Sequence, residues 1–383
     1  MRAIVVGAGI GGLSAGIGLQ RAGLDVTVVE RMRELREVGS GLTLWTNAMR
    51  ALGKLGVADA VRARGAVVES LENWAWYGKR LGGVLPLKQV GDKFGTQGYG
   101  IHRGELQAAL AAALRPGTLE LGIQCTGFTQ DQGGVRVQLG QGREERADLL
   151  VGADGIKSVV RAGLFGEGEM RYSGYTCWRS AVKLDHPALH PTVYVQLYGP
   201  GANFGIFPIG RGRWSWYGTN VTAAGQTTGK SPEWKRESAD RFKKWWEPVR
   251  AVIDATDETA FARQDIYDLK PIDQWSKGRV TLLGDAAHAT TPALGQGGCM
   301  AIEDAVVLTR NVTENPDTEA ALRQYAAERI GRANGIVRQA RRHGNFYHAS
   351  NPFLRVAREA FFRFAPVSVA MKEVEKLMGY EAR

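Results

Sequence analysis

The sequence has few cysteines and histidines and no long apolar run. Its 383 residues include three cysteines, Cys125, Cys177 and Cys299, which are widely spaced and form no CxxC pair. This spacing matches neither a zinc-ligand pattern nor a disulfide framework, so we predict no metal site and a reducing, cytoplasmic location. No apolar run reaches the roughly 18 residues of a transmembrane helix. Internal repeats and low-complexity tracts are also lacking.

Acidic side chains are fewer than basic ones, with 39 Asp and Glu against 49 Lys and Arg, and the formal net charge is +10. Such a balance occurs in nucleic-acid-binding proteins. Here, however, the basic residues are scattered, apart from Arg338, Arg341 and Arg342 on one predicted helix. We therefore predict no nucleic-acid partner and a basic surface that suits an anionic ligand. No Ser–His–Asp constellation is recognisable, so no side chain is predicted to act as a covalent nucleophile.

A strand, a glycine-rich turn and a helix open the chain. Apart from Arg2, residues 2–7 are apolar, as in a parallel strand covered on both faces. Gly7, Gly9 and Gly12 follow as GxGxxG: the first permits the tight turn, the second lets a pyrophosphate approach, and the third lets the helix pack on the strand. The helix N-terminus then favours phosphate. Glu30 ends the next strand, where a carboxylate binds ribose hydroxyls and disfavours a 2′-phosphate.

A second motif lies far along the chain and indicates a longer cofactor than NAD. The apolar strand 279–283 leads directly into Gly284 and Asp285, and the loop 291–298 leads into another helix. Asp285 is predicted to hydrogen bond ribityl hydroxyls or pyrophosphate-linked water. The helix N-terminus suits the negative charge of the N1–C2=O region of a reduced flavin. FAD fits both motifs.

Between these motifs the sequence pattern changes to short, aromatic-rich segments that are typical of strands. We predict an α/β fold with a Rossmann-like FAD-binding domain of the glutathione reductase type, formed by residues 1–170 and 268–350. A mainly antiparallel substrate domain is inserted at 171–267, and the segment 68–98 is a candidate to join its sheet. Residues 351–383 are predicted to form a C-terminal helical segment.

The chain resembles the group A flavoprotein aromatic monooxygenases, the para-hydroxybenzoate hydroxylase-like family. Three signatures carry the resemblance over residues 1 to about 345: the GxGxxG turn, then Ala153-Asp154-Gly155 followed by Ser158 and Arg161, and then residues 284–288, Gly-Asp-Ala-Ala-His. In this family the Asp–Gly motif serves both FAD and the nicotinamide cofactor. For Asp154 a helix-capping turn stays open as the alternative. His288 is predicted to support the cofactor site or the structure rather than to act as a base.

The resemblance also implies which residues surround the cofactor. Pro292 and the loop up to Gly298 are expected on one side of the flavin, with residues 41–43 nearby, and Arg103 matches an arginine that approaches FAD. The predicted flavin environment is Pro292, Gly295, Gly297 and Gly298. The predicted FAD-binding residues are Gly7, Gly9, Ile10, Gly11, Gly12, Glu30, Arg31, Gly41, Leu42, Arg103, Asp154, Gly284, Asp285, Pro292, Gly295, Gly297, Gly298 and Cys299.

The resemblance implies a two-stage reaction. NADH or NADPH reduces the flavin and leaves; a second nucleotide fold is not recognisable, which is usual in the family. The reduced flavin then reacts with O2 to give a C4a-hydroperoxide, which hydroxylates an aromatic or heteroaromatic small molecule. Three alternatives stay open: a flavin epoxidase or tetracycline-type inactivating monooxygenase, an oxygen-independent flavin reductase, and a basic nucleic-acid- or membrane-binding protein with a vestigial fold.

The substrate is less well defined than the cofactor. The stretches 151–156 and 174–179 look like the quinolone branch of the family, whereas an arginine and a tyrosine of the urate branch align with Asn203 and Ser215, so urate is not expected. Strand alternation places Trp214 and Trp216 on one face and Ser215 and Tyr217 on the other. The candidate substrate residues are Asn203, Phe204, Phe207, Trp214, Trp216 and Tyr217.

Two questions of association stay open in the sequence. The C-terminal segment places Phe361, Phe362 and Phe364 among arginines, which is compatible with peripheral membrane contact or with cover of a domain edge or partner subunit. The oligomeric state is expected to be a monomer or a homodimer.

Overall fold

A computed structural model describes residues 1–35, 39–225 and 231–383. Within these residues the strands are β1 (Arg2–Val6), β2 (Asp25–Glu30), β3 (Gly41–Leu44), β4 (Ala66–Val68), β5 (Ser70–Ala75), β6 (Gly98–His102), β7 (Leu119–Leu121), β8 (Cys125–Asp131), β9 (Gly134–Leu139), β10 (Glu144–Ala147), β11 (Leu149–Gly152), β12 (Met170–Lys183), β13 (Val193–Gly199), β14 (Ala202–Pro208), β15 (Arg213–Val221), β16 (Ala262–Leu269), β17 (Ser276–Lys277) and β18 (Val280–Leu282). The helices are α1 (Ile10–Arg21), α2 (Thr46–Lys54), α3 (Ala58–Arg62), α4 (Leu87–Phe94), α5 (Arg103–Ala112), α6 (Val159–Phe165), α7 (Ser231–Phe242), α8 (Glu247–Ala255), α9 (Asp285–His288), α10 (Gly297–Glu314), α11 (Thr318–Tyr347), α12 (Pro352–Phe364) and α13 (Val367–Met378).

The first sheet is mainly parallel and has the strand order β17-β18-β11-β1-β2-β7. β18, β11, β1, β2 and β7 pair in parallel, and β17 is antiparallel to β18. Ala3, Ile4 and Val5 of β1 are fully buried, as expected for a central parallel strand that helices cover on both faces. The carboxyl ends of β1, β11 and β18 therefore lie side by side at one edge of this sheet.

The second sheet is mainly antiparallel, with the order β16-β12-β15-β14-β13-β5. Only its outer pair, β5 and β13, is parallel among these strands. β5 comes from the segment 68–98 that was a candidate to join it. Two smaller three-stranded sheets have the orders β10-β9-β8 and β3-β6-β4. The predicted α/β fold with these two kinds of sheet is confirmed, whereas the domain bounds stay a prediction.

The long helix α11 connects the two sheets. Near its start, the carbonyl oxygen of Leu322 accepts a hydrogen bond from Ser276 in β17, at 3.0 Å. Just beyond its end, His348 Nε2 lies 2.8 Å from the Thr219 hydroxyl in β15. The two sheets are thus held in one arrangement, and the space between them is where the predicted site residues converge.

Candidate active site

The turn between β1 and α1 combines close packing with one open position. A Cβ on Gly12 would lie 1.8 Å from the Gly7 carbonyl oxygen, and Gly7 itself has a φ of +103°, so both positions require glycine. A Cβ on Gly9, by contrast, would have no atom of the described residues within 4 Å. No described side chain caps the first turn of α1. This arrangement leaves room and free N–H groups for an anionic group in front of Gly9.

Glu30 borders this opening from the end of β2. Its Oε2 accepts the Ala8 N–H at 2.8 Å and its Oε1 accepts the Met32 N–H at 3.0 Å. Gln107 of α5 donates to the Ala8 carbonyl oxygen at 2.8 Å and holds the turn from the other side. No sequence pattern indicated that Gln107 would reach this turn.

The segment that follows β18 lies against the turn and helix of the first glycine motif. A Cβ on Gly11 would lie 2.6 Å from Leu283 Cδ2, so α1 packs directly on the segment that follows β18. At the start of α10, the Cβ position of Gly298 is 3.4 Å from Leu42 Cδ1 and 3.7 Å from Ile10 Cδ1. The structure therefore brings β3, α1 and the start of α10 together, although the sequence separates them widely.

Asp154 caps helix α6, which is the alternative role that the sequence left open. Its Oδ1 accepts the Ser158 hydroxyl at 2.5 Å, and its Oδ2 accepts the Val159 N–H at 2.7 Å. Burial raises the pKa of the Asp154 carboxyl, although these hydrogen bonds oppose the shift. Arg161, on the same helix, donates to the Ala286 and Ala287 carbonyl oxygens at 3.1 and 3.2 Å. The second signature thus orients the third through Arg161, and a direct cofactor role for Asp154 stays a prediction.

His288 belongs to a buried charge network. Its Nε2 lies 2.6 Å from Asp304 Oδ2, which also accepts the Gly284 N–H at 3.1 Å. Arg329 Nε donates to Asp304 Oδ1 at 2.7 Å. His288, Asp304 and Arg329 are each at most 1% exposed. The network holds the segment 284–288 against α10 and α11. This geometry agrees with a supporting role for His288.

The network should make stability depend on pH in a defined window. Burial alone would raise the pKa of Asp304, but the neighbouring His288 and Arg329 lower it to about 2, below the ~3.9 of an unfolded chain. The ionised carboxylate therefore stabilises the fold above about pH 4, and this contribution is lost as the pH falls toward 2. We expect Asp304→Asn to be less stable than the wild type at pH 7, with a difference that shrinks below about pH 4. Thermal unfolding of both proteins between pH 7 and pH 3 measures this, and a pH-independent difference would contradict it.

The start of α10 is anchored by a neighbouring part of the same network. Asn47 of α2 donates to Gln296 Oε1 at 2.9 Å and to Glu303 Oε1 at 2.6 Å. Arg332 binds both oxygens of Glu303 at 2.8 Å. Gln296 immediately precedes α10, so these contacts fix the helix end at the predicted flavin position. Sequence reasoning missed these residues; the three-residue spacing of Arg329 and Arg332 on one helix was the available signal.

The two faces of the second sheet have different surroundings. Phe204, Trp214 and Trp216 face α7 and α8, where they form a core with Phe242 and Trp245. Trp216 stacks on Phe204 with ring centroids 5.4 Å apart and donates to the Thr256 hydroxyl at 2.9 Å. These three candidates for substrate contact therefore lie on the face away from the first sheet. Helices α7 and α8 cover that face and were not predicted, which is why alternation alone did not identify it.

Asn203, Phe207 and Tyr217 lie on the opposite face. Tyr217 OH is 2.9 Å from Tyr194 OH, and the Phe207 and Tyr194 rings are 5.2 Å apart. On the same face, Ser215 Oγ accepts the Gly41 N–H at 2.7 Å. A series of contacts thus leads from the start of α10 through β3 to this tyrosine pair.

The other predicted residues differ in exposure. Arg31, Arg103, Asp285 and Pro292 are exposed. Cys299 is fully buried, and burial raises the pKa of its thiol to about 12, so the thiol stays protonated. Gly295 has a φ of +60°, and its Cβ position lies 2.9 Å from both Thr43 Oγ1 and Trp45 Nε1, so the loop before α10 packs tightly on β3 and the start of α2.

Two features are absent from the part of the chain that the structure describes. No cluster of three or more His, Cys, Asp or Glu side chains there could hold a metal ion. None of its helices combines the length and apolarity that crossing a membrane requires.

Known proteins resemble this chain over nearly its whole length. Residues 1–340 match the family described as "FAD binding domain". An aurachin C monooxygenase/isomerase from Stigmatella aurantiaca is 39% identical over 94% of this chain and 93% of the relative. An FAD-dependent urate hydroxylase from Klebsiella pneumoniae is 32% identical over 92% and 91%. The crystal structure of Klebsiella pneumoniae HpxO complexed with FAD and uric acid superposes with a TM-score of 0.93 at 30% identity, covering 99% of this chain and 96% of HpxO.

The residues present fit FAD. The open position before Gly9, the uncapped start of α1 and the Glu30 carboxylate beside it suit the adenosine and pyrophosphate part. The start of α10 has no described side-chain cap either and faces β3, where a flavin ring would find free N–H groups. The chain therefore belongs to this FAD-binding family and is a flavoprotein monooxygenase of the group A aromatic type, with FAD as its cofactor.

Proposed function

We propose that this monooxygenase hydroxylates an uncharged heteroaromatic ring of the quinolone type, with NADH or NADPH as the electron donor and O2 as the oxidant. We further propose that it does so in a reducing cytoplasm. The ring is proposed to bind between the start of α10 and the face of the second sheet that carries Asn203, Phe207 and Tyr217. The observation that carries the proposal is the part-buried Tyr194–Tyr217 hydroxyl pair on that face.

The chemistry of this face supports a neutral substrate. Burial raises the pKa of both Tyr194 and Tyr217, so their hydroxyls stay protonated at neutral pH and can donate to a ring carbonyl or accept from a ring N–H. The Asn203 amide oxygen accepts the Thr219 hydroxyl at 2.8 Å. Ser215 holds Gly41. Because Asn203 and Ser215 stand where the urate branch has an arginine and a tyrosine, these positions supply no cation for a urate-like anion.

The residues of this chain would position and shield the reaction. When bound, FAD takes electrons from the nicotinamide and activates O2 for transfer of one oxygen atom. The proposed role of Phe207 and of Trp45, whose ring stacks with Tyr194 at 6.4 Å, is to exclude water from the ring. Tyr194 and Tyr217 would fix its orientation, and the start of α10 would stabilise negative charge on the flavin side.

A steady-state comparison tests the substrate class. We expect a 2-alkyl-4-quinolone to stimulate NAD(P)H oxidation at least tenfold and to yield a product with one added oxygen, and urate to give no stimulation. Tyr217→Phe should raise KM about fivefold, since a lost hydrogen bond to substrate is worth about 1 kcal/mol. Its flavin absorbance should be unchanged.

Tyr172→Phe is the matched control, because it also removes one hydroxyl hydrogen bond, to the Thr222 carbonyl oxygen at 2.8 Å. Tyr172 lies near the start of β12, seven residues before Arg179, which pairs with Tyr217. Stimulation by urate, or equal KM values for the two variants, would contradict the proposed site. The NMR spectrum of the product distinguishes ring hydroxylation from epoxidation.

A further inference from the structure

Helix α12 has its apolar side chains on the outside. Phe353 is 84% exposed, Phe364 74% and Val356 70%, and Leu354 and Phe361 are more than half exposed. No other helix or strand within the described residues carries more than one exposed large apolar side chain. At about 100° per residue, the five side chains fall within one arc of about 160°. We refer to these five residues as the α12 face.

The inner side of α12 is anchored by one arginine and one aromatic ring. Arg358 is fully buried and donates to the Tyr347 carbonyl oxygen at 2.5 Å and to the Gly199 carbonyl oxygen at 3.1 Å. Phe362 stacks on Tyr198 of β13 with ring centroids 4.5 Å apart. Of the six large apolar side chains of α12, only Phe362 faces inward, so the usual arrangement of a surface helix is largely reversed. Because these inner contacts fix the helix, the outer apolar face is not available to the protein's own core.

Two basic side chains and one acidic side chain border this face. Lys79 and Arg363 line a shallow groove together with Val356 and Phe364, and Glu359 is the acidic residue in it. Arg363 also lies over the Phe364 ring, at 5.5 Å. Apolar aromatic residues bordered by cations are the composition of helices that lie in the interface of an anionic membrane.

We propose that the α12 face docks this enzyme on an anionic lipid bilayer. A second copy of the chain fits less well. A two-fold contact would bring Lys79 and Arg363 toward their own copies, and a stable homodimer usually buries about 2,000 Å² or more, whereas α12 is only about 20 Å long. The docking does not depend on the proposed substrate. It would nevertheless place the tyrosine-bearing face of β13 close to the bilayer, on the side from which an apolar substrate would arrive.

Sedimentation of the FAD-loaded protein with vesicles tests the docking without turnover. We expect binding to vesicles of phosphatidylethanolamine and phosphatidylglycerol and at least tenfold weaker binding of the double variant Phe353→Glu and Phe364→Glu. Lys79→Gln and Arg363→Gln should each weaken binding about fivefold, as about 1 kcal/mol per basic side chain implies. Phosphatidylcholine vesicles should bind correspondingly less.

Leu121→Glu with Val221→Glu is the matched control, because it adds the same two charges at exposed apolar positions on other elements. It should bind as the wild type does. Flavin absorbance and thermal stability report whether each variant is folded. The docking is overturned if the wild-type protein stays in the supernatant with anionic vesicles, if the double variant sediments like the control, or if light scattering shows a homodimer that the double variant dissociates.

Discussion

Gly9→Leu should give a folded protein that does not retain FAD. The Cβ position of Gly9 is open, with no described atom within 4 Å, and its φ of −70° is accessible to any residue. A leucine there would project into the space assigned to the pyrophosphate and prevent the close approach of that group to the backbone. We expect FAD affinity to fall at least 100-fold, measured by flavin absorbance near 450 nm per protein and by fluorescence titration.

Gly53→Leu provides the matched control. Gly53 lies in α2, away from the site, and its Cβ position also has no atom within 4 Å among the described residues. The FAD content of Gly53→Leu should equal that of the wild type. The apoproteins of Gly9→Leu and Gly53→Leu should unfold at similar temperatures. Full flavin retention by Gly9→Leu would mean that the cofactor does not pass in front of this turn.

Arg329→Met should be strongly destabilising. The Arg329 guanidinium is fully buried and lies 2.7 Å from both Asp304 and Glu303. Removing it leaves two buried carboxylates with too little compensating charge, which typically costs about 3–5 kcal/mol. We expect a loss of this size in the free energy of unfolding, measured by urea denaturation of the apoprotein, and weaker FAD binding because the segment 284–288 is no longer held.

Arg323→Met is the control on the same helix. The Arg323 side chain is 64% exposed, and its contact with Glu319 is 3.8 Å long. Exposed pairs of this kind contribute little, so a loss below about 1 kcal/mol is expected. If both variants lost the same small amount, the buried network would not be what secures the segment 284–288.

The cofactor side of the molecule was predictable because its signals are local. Gly7, Gly9 and Gly12 follow a strand whose buried residues are contiguous in sequence, and Glu30 ends the next strand. The signatures at Asp154 and Gly284 also stand at strand ends, and parallel strands bring such ends to the same edge of a sheet. The fold class and the FAD cofactor followed from these features.

The substrate side was less predictable because it depends on which elements cover each face of a sheet. Alternation separated Trp214 and Trp216 from Ser215 and Tyr217, but helices α7 and α8, which bury the tryptophans, were not recognised in a segment that looked strand-like. The sequence did not show which elements cover the face that carries Tyr194, so this residue was not chosen as a candidate. The buried charge network joins side chains from α2, α10 and α11, and no single stretch of sequence shows such a convergence.

Incorporation of labelled oxygen is the measurement that tests the central claim most directly. The FAD-loaded enzyme is supplied with NAD(P)H, a 2-alkyl-4-quinolone and ¹⁸O₂, and the product is analysed by mass spectrometry. We predict one ¹⁸O atom per molecule of product, with no label when ¹⁸O is supplied as water. A product without label from ¹⁸O₂, or nicotinamide oxidation that yields only peroxide, would contradict the assignment of this site to oxygenation of an uncharged heteroaromatic ring.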